Sequence, residues 1–303
     1  MQGTDTSSGT TTTGEGARRH VVLVTGASSG IGRATALRLL RHADTFVVLA
    51  ARRAGELWAT AELAGPDAAG RADVIECDLS SAAGARALAA TVRARHPDLT
   101  ALVNNAGAGA ACDFDDAASG AEIERVLALD LQAPMLLTHA LQDLLVARGG
   151  ALVNVASVAG LVGTPASPAY SSAKWGLVGF SESMRARLGQ VGVRVTCIQP
   201  GPVPTPGWPH ERIAASPLRR VLGSDVDTVA RAIERACRGV GRARASRTLP
   251  ATYAVLPLLR GVAPGLLRRM LAAAWRRDPI GRRTIAAHRA AHRSGRARTE
   301  ASS

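Results

Sequence analysis

Val21-Val22-Leu23-Val24 runs without a break into "TGASSGIG", residues 25 to 32, and an alanine- and leucine-rich helical pattern follows to about Arg41. A β-branched strand, a glycine-rich turn and a helix in direct succession leave few architectures open to a chain. The alternation then repeats. Phe46 to Ala50, Val74 to Cys77, Ala101 to Val103, Ala151 to Val155 and Val193 to Ile198 are further short apolar runs, and a last strand is expected near Ser246 to Leu249. Helical patterns fill most of the gaps, including 82–95, 120–147 and 170–190. Strands that are apolar on both faces and alternate with helices require a parallel sheet covered on both sides. The expectation is an α/β fold, a doubly wound parallel sheet, whose ligands bind beyond the carboxyl ends of the strands.

Composition sets the boundaries of that domain. The 303 residues are 47% hydrophobic but only 3% aromatic, so the core must be built from Ala, Val and Leu. The formal net charge of +13 is unevenly placed: from Arg238 onward 15 arginines face only Asp278 and Glu300, so the first 237 residues carry no net charge. Residues 20–249 are read as one catalytic-size domain, 250–288 as a basic amphipathic helical extension, and 1–19 and 289–303 as disordered tails. The Thr/Ser/Gly-rich start lacks the apolar stretch of a signal peptide, and no run of 18 apolar residues occurs. Cys77, Cys112, Cys197 and Cys237 have no metal-binding spacing, and the seven histidines form no HExxH-like cluster. Free thiols in a reduced compartment, and no metal, are expected.

The glycine turn is the first chemical signal. Gly26 permits a tight turn, Gly30 lets backbone approach a pyrophosphate, and Gly32 permits close packing of helix on sheet, with the helix N-terminus supplying amide donors and positive dipole to phosphate. The spacing is GxxxGxG. Further on come "NNAG" at Asn104 to Gly107, Ser157 in "VNVASVAG", and Tyr170 with Lys174 in "YSSAK". Over about residues 18–240 this ordered set resembles the classical short-chain dehydrogenase/reductase family. The resemblance implies a Rossmann fold and an NAD(P)-dependent oxidoreductase. It further implies cofactor contacts from Gly26, Ser28, Ser29, Gly30, Ile31 and Gly32, from Asp78 and Leu79 beside the adenine, and from Asn105, Ala106 and Gly107 beside the ribose. Pro200, Gly201, Val203 and Thr205 match the segment that holds the nicotinamide carboxamide.

Cofactor choice is read at the end of the second strand, "VVLAARRAG". Where NAD-preferring Rossmann domains place an acid for the ribose 2′-hydroxyl, this chain has Ala51 followed by Arg52 and Arg53. A guanidinium pairs with a 2′-phosphate through two hydrogen bonds, whereas a carboxylate repels it. NADP(H), held through Arg52, is the expected cofactor.

Lys174 is the only lysine in the chain, against 36 arginines. It stands four residues after Tyr170, on the same helical face. In the family the tyrosine donates or removes the hydroxyl proton, while lysine favours the phenolate and hydrogen-bonds the nicotinamide ribose. A free phenol has a pKa of about 10, too high for an efficient base near neutrality. A nearby ammonium and the oxidised nicotinamide are expected to lower it. Ser157, 13 residues upstream of Tyr170, would stabilise charge on the substrate oxygen. One departure stands out: Asp130 occupies the place of the family's asparagine, which anchors a water leading to the lysine. Aspartate keeps the acceptors, loses the amide donor, and is able to pair with Lys174 directly.

The substrate signal is weaker. The segment after Gly201, "PVPTPGWPHERIAASPLRRV", offers no anion-binding cluster apart from Arg212, Arg219 and Arg220, so a hydrophobic alcohol or carbonyl is expected. In the extension, Leu266, Leu267, Met270, Leu271, Ala274 and Trp275 are read as one apolar helical face opposite Arg268, Arg269 and Arg276. An anionic membrane surface fits it, as would the body of the protein or a partner subunit. The arginines lack interleaved aromatics, so nucleic acid is not expected. A homo-oligomer, cytoplasmic or peripheral on the inner membrane surface, is the corresponding picture. The alternatives are a cofactor-sensing binding protein with weak or no chemistry, against which intact Ser157, Tyr170 and Lys174 argue, and a membrane- or nucleic-acid-associated scaffold acting through the basic tail.

Overall fold

A computed structural model describes residues 20–108, 119–205, 223–240 and 246–277, together with Arg282, Arg283 and Ala286. Cys112, Trp208, Arg212, Arg219, Arg220 and the two terminal tails lie outside the described residues. Seven parallel strands form one sheet in the order β3-β2-β1-β4-β5-β6-β7. They are β1 His20–Thr25, β2 Thr45–Ala51, β3 Ala72–Glu76, β4 Ala101–Asn104, β5 Ala151–Val155, β6 Arg194–Pro200 and β7 Ser246–Leu249. The order reverses between β1 and β4, which is where a doubly wound sheet opens a crevice for ligands.

The inner strands β1, β2, β4 and β5 are apolar on both faces because two separate cores need it. Val22, Val24, Val47, Leu49, Val103 and Val153 pack with Ala36, Leu39, Val229 and Ile233 on one side. Their immediate neighbours Val21, Leu23, Val48, Leu102 and Leu152 pack with Leu88, Val92, Leu137, Leu141 and Leu145 on the other. The period-two alternation therefore divides one strand between two cores. The first face is covered by α1 (Gly30–Leu40), α2 (Ala54–Glu62) and the helix Val226–Arg238. The second is covered by α4 (Ala82–Arg95), α6 (Ala133–Ala147) and α7 (Pro168–Leu188); the short helix Pro66–Ala69 is α3 and Ser119–Leu127 is α5.

Local sequence explains the ends. The Ser81 hydroxyl accepts from the Gly84 amide at 3.1 Å and caps α4, so this helix spans the expected 82–95. Arg71 donates to the carbonyls of Leu40, His42 and Thr45, each at 2.7 Å, tying the α1–β2 connection to β3. Arg38 bridges Asp227 and Glu234 at 2.6 and 2.7 Å, clasping α1 to the helix Val226–Arg238.

Two expectations need correction. The pattern over 120–147 predicts one helix, yet Ala128–Gln132 is a π-helical segment between α5 and α6, and it carries Asp130. The extension forms two helices, Val255–Val262 and Pro264–Arg277, and the single apolar face expected for the second is divided. Leu267 is buried and Leu271 and Trp275 half-buried, whereas Leu266, Met270 and Ala274 are exposed. The first of the two helices is tied to the body of the protein: Arg260 donates to the Leu161 carbonyl at 3.1 Å and lies 4.4 Å from the Trp175 ring centre. No helix among the described residues is long and apolar enough to cross a membrane.

Candidate active site

The carboxyl ends of β1, β4, β5 and β6 bring the expected residues to one edge of the sheet. The Thr25 hydroxyl, at the end of β1, accepts from the amides of Asn105 and Ala106 at 2.9 and 3.0 Å, and the Asn105 side-chain amide donates back to the Thr25 carbonyl at 2.8 Å. The glycine turn and the "NNAG" turn are thus bolted together across the point where the strand order reverses.

The glycine turn has the shape of a backbone cradle. Gly30, at the start of α1, has φ +54, and a Cβ there would lie 3.0 Å from the Thr205 methyl. Only glycine combines that backbone with that neighbour. Gly32 departs from its expected role. A Cβ on it would come 2.2 Å from the Gly26 carbonyl oxygen and 2.6 Å from the Asn105 amide nitrogen, so it makes room for the turn and Asn105 rather than for the sheet. Ser28 is buried while Ser29 and Ile31 are partly accessible at the helix start, and Val203 is buried beside partly accessible Thr205. Pro200 ends β6, and the Gly201 amide donates to the Leu249 carbonyl, joining this segment to β7.

Arg52 and Arg53 are both exposed at the end of β2. Their side chains go to different places. Arg53 reaches the Ser28 hydroxyl of the glycine turn at 3.4 Å, whereas the Arg52 charge faces Asp78. The Asp78 carboxyl is held low by the Ser80 amide and, further away, by Arg52 and Arg125. Beside it Leu79 is buried. These groups fit a dinucleotide carrying an extra phosphate: a cradle that any Cβ would fill, a helix N-terminus at its floor, and two guanidinium groups where an acid would repel that phosphate.

The catalytic candidates converge beyond β5. Ser157 follows the strand, and its hydroxyl accepts from the Ala159 amide at 3.1 Å. Tyr170 and Lys174 lie one turn apart on α7, with Lys174 Nζ 5.5 Å from the Tyr170 ring centre. Tyr170 packs among Ile123, Val126, Leu131, Ala169 and Ala173. Lys174 is buried, donates to the Val155 carbonyl at 3.0 Å, and forms an ion pair with Asp130 Oδ1 at 2.9 Å. Asp130 Oδ2 accepts from the Ala108 amide at 3.0 Å. Gly107 covers this pair closely, since a Cβ there would stand 2.5 Å from Asp130 Oδ1.

Electrostatics in the protein alone correct one expectation. Burial pushes the Tyr170 phenol above its ordinary value; Lys174 pulls it down, Asp130 pushes it up and Ser157 pulls it down, leaving it raised rather than lowered. Burial opposes the Lys174 ammonium, but Asp130 and Tyr170 outweigh it and hold that proton firmly. The thiols of Cys77, Cys197 and Cys237 are free and pushed up by burial to about 12, 11 and 12, which keeps them protonated and inert.

Sequence reasoning missed the support under the site. Asn104 donates to Asn154 at 2.8 Å, and Asn154 donates to Ser181 on α7 at 2.9 Å, all three buried. Asn104 and Asn154 are register partners in β4 and β5, so one polar residue in each of two apolar strands was the available signal.

Comparisons with known proteins agree with this geometry. The family model described as short chain dehydrogenase matches residues 20–214. The chain is 38% identical over 190 residues to the momilactone A synthase of Oryza sativa subsp. japonica, covering 61% of this chain and 67% of that protein. It is 32% identical over 186 residues to a 3beta-hydroxysteroid dehydrogenase of Mediterraneibacter gnavus, with the same 61% and 67% coverage. Among solved structures, a short-chain dehydrogenase from Sphingobium yanoikuyae in complex with NADPH superposes with a TM-score of 0.67 at 28% identity, covering 82% of this chain and 95% of that one. A metagenomic short-chain oxidoreductase in complex with NADP gives 0.62 at 31% identity, covering 77% and 97%. Sheet order, glycine turn and sequence likeness lead to one conclusion: the chain belongs to the short-chain dehydrogenase family, NAD(P)-dependent oxidoreductases that act on alcohol and carbonyl groups.

Proposed function

We propose that this protein is an NADP(H)-dependent oxidoreductase that interconverts a hydrophobic carbonyl compound and its alcohol, with Tyr170 as acid/base. The observation that carries the reading is the convergence of Ser157, Tyr170 and the chain's single lysine at the carboxyl edge of β5. NADP(H) supplies or accepts the hydride when bound. The chain's own residues do the rest. Ser157 presents a hydroxyl to the substrate oxygen and stabilises charge developing there. Tyr170 gives its proton to that oxygen in reduction and takes it back in oxidation. Lys174, fixed by Val155 and Asp130, holds a positive charge beside the phenol and a donor for the cofactor ribose. Gly26, Ser28, Ser29, Gly30, Ile31 and Gly32 would take the phosphates, Arg52 and Arg53 the 2′-phosphate, and Asp78 and Leu79 the adenine. Asn105, Ala106 and Gly107 would take the ribose, and Pro200, Gly201, Val203 and Thr205 the carboxamide.

A hydrophobic substrate is supported by the apolar surroundings of Tyr170 and by buried Leu161 and Val162 after Ser157. The likeness to a 3beta-hydroxysteroid dehydrogenase points the same way. The test is NADPH oxidation against a panel of ketones, aldehydes and sterols. Turnover of an apolar carbonyl that collapses in Tyr170→Phe, with NADPH binding kept, is expected; near-normal turnover in that variant would sink the mechanism.

The extension supports a second proposal about location. Val255, Leu258, Val262, Leu266 and Met270 are exposed, and the stretch 246–277 contains arginines but no acidic residue. That combination supports attachment of a cytoplasmic protein to an anionic membrane surface. Flotation with anionic but not neutral vesicles, weakened by salt and by Arg268→Glu/Arg269→Glu, is the expected result. Equal flotation of that variant would refute it. On α6, exposed Met135 and Val146 share one helical face and support a homo-oligomer, which sedimentation would test.

A further inference from the structure

In a site whose reaction needs one mobile proton, the charge next to the proton donor decides which form of the donor is present. The only fixed cation touching Tyr170 among the described residues is Lys174, and Lys174 faces a buried carboxylate at 2.9 Å. Both members of this pair are shielded from water, with Asp130 at 0% and Lys174 at 3% exposure. Water therefore screens neither charge, and the carboxylate's field at the phenol opposes the ammonium's.

The groups packed around the pair do not supply another compensating charge. On α5, Arg125 faces Asp130 but is held by Glu122 at 2.6 Å, so that pair largely cancels itself. On β6, Cys197 faces Lys174 as a neutral thiol, its proton held by burial. Glu182 and Arg185 on α7 face Cys197 with opposite signs. From β5 come the Val155 carbonyl and the Ser157 hydroxyl, and from the loop after β4 the Ala108 amide, all uncharged. The missing Cβ of Gly107 leaves the space that Asp130 fills.

We propose that Asp130 is a positioning residue that cancels the Lys174 charge and so keeps Tyr170 in its protonated, hydrogen-donating form, which suits the site to carbonyl reduction near neutral pH. In reduction the Tyr170 O–H bond breaks and its proton goes to the substrate oxygen as the carbonyl carbon receives hydride from NADPH. The phenolate left behind must then regain a proton. In oxidation a phenolate must be present at the start to accept the alcohol's proton, while NADP+ takes the hydride. A neutral Lys174–Asp130 pair extends reduction to higher pH and confines oxidation to alkaline conditions. This deepens the oxidoreductase reading and rests on it.

The chain makes a direct test available, because it has only two tyrosines, Tyr170 and Tyr253. Phenolate absorbance is titrated on the full chain without cofactor, and the Tyr170 signal is obtained by subtracting the same titration of Tyr170→Phe. In the unmodified protein the Tyr170 phenolate is expected only near or above the free phenol's midpoint of about 10. In Asp130→Asn, or in Asp130→Ser if the amide variant fails to fold, the midpoint should fall by about one to two pH units, the effect of one charge about 6–12 Å away at an effective dielectric near 20. The basic limb of the carbonyl-reduction profile should fall with it. A lowering of less than about half a unit, or a rise, overturns the proposal. The titration needs no substrate, so absence of turnover with every carbonyl would refute the reductase reading while leaving the Asp130 assignment to be decided by absorbance.

Discussion

Replacing Lys174 by methionine keeps the length of the stem and removes its charge, which leaves Asp130 buried without its partner at 2.9 Å. Breaking a buried pair from one side costs about 3–5 kcal/mol, because a charge remains out of water with nothing to offset it. Asp130→Leu breaks the same pair from the other side. It strands the Lys174 ammonium and also the Ala108 amide, which donates to Asp130 at 3.0 Å, so its cost falls in the same range or above. Independent effects would therefore sum to about 6–10 kcal/mol in the double variant. The double variant, however, contains neither charge. It leaves only the Val155 carbonyl and the Ala108 amide without their partners, at about 1–2 kcal/mol each. Lys174→Met/Asp130→Leu should thus be more stable than either single variant, with a coupling of at least about 2 kcal/mol. Urea unfolding of the four proteins at one concentration reads this. Single variants within 1 kcal/mol of the unmodified protein, or strictly additive costs, would refute the ion pair as described. Activity should not recover in the double variant, since the ammonium itself is required.

Cofactor preference should follow the two arginines at the end of β2. Arg52→Ala should weaken NADPH by roughly 1.5–3 kcal/mol with little effect on NADH, and Arg53→Ala should do the same if the Ser28 contact places it at the same phosphate. Fluorescence titration decides, and equal loss for both cofactors would remove the 2′-phosphate assignment. A stability prediction concerns Asp44, whose carboxyl is lowered to about 2, chiefly by its hydrogen bond from Arg238 and against its own burial. A depressed folded value means the stabilisation is complete above the unfolded value of about 3.9 and is lost as pH falls toward about 2. Asp44→Asn should therefore be less stable than the unmodified protein at pH 6 and no less stable at pH 2, as read by urea unfolding at each pH.

The strands were legible because burial on both faces forces unbroken apolar runs, and β5 was read to the residue as Ala151–Val155. The order of the strands was not, since nothing in a run such as "VVLV" says which neighbour it pairs with. The π-helical segment Ala128–Gln132 was also hidden: it widens the hydrogen-bond register by one residue without changing composition. Asp130 lies in that segment, so the site's departure from its family, and the direct pairing with Lys174 that it allows, were legible as residues while the local backbone that carries Asp130 was not. Arg52 and Arg53 are adjacent in sequence, and nothing in that pair shows that Arg53 reaches Ser28 while Arg52 faces Asp78. The extension was misread in one respect. Periodicity grouped Leu266 with Leu267, but an apolar stripe does not reveal which half is shielded from water, and here Leu267 is the buried one.

The central claim is that Tyr170 passes the proton while hydride moves between the cofactor and a carbonyl carbon. It is tested most directly by isotope transfer. NADPH deuterated at the transferring position is incubated with the purified full chain and an apolar ketone, and the alcohol is analysed by mass spectrometry. The account predicts one deuterium on the carbinol carbon, formed by the unmodified protein and lost in Tyr170→Phe although that variant still binds NADPH. An alcohol without deuterium, or deuterated alcohol formed at the same rate by Tyr170→Phe, would contradict it.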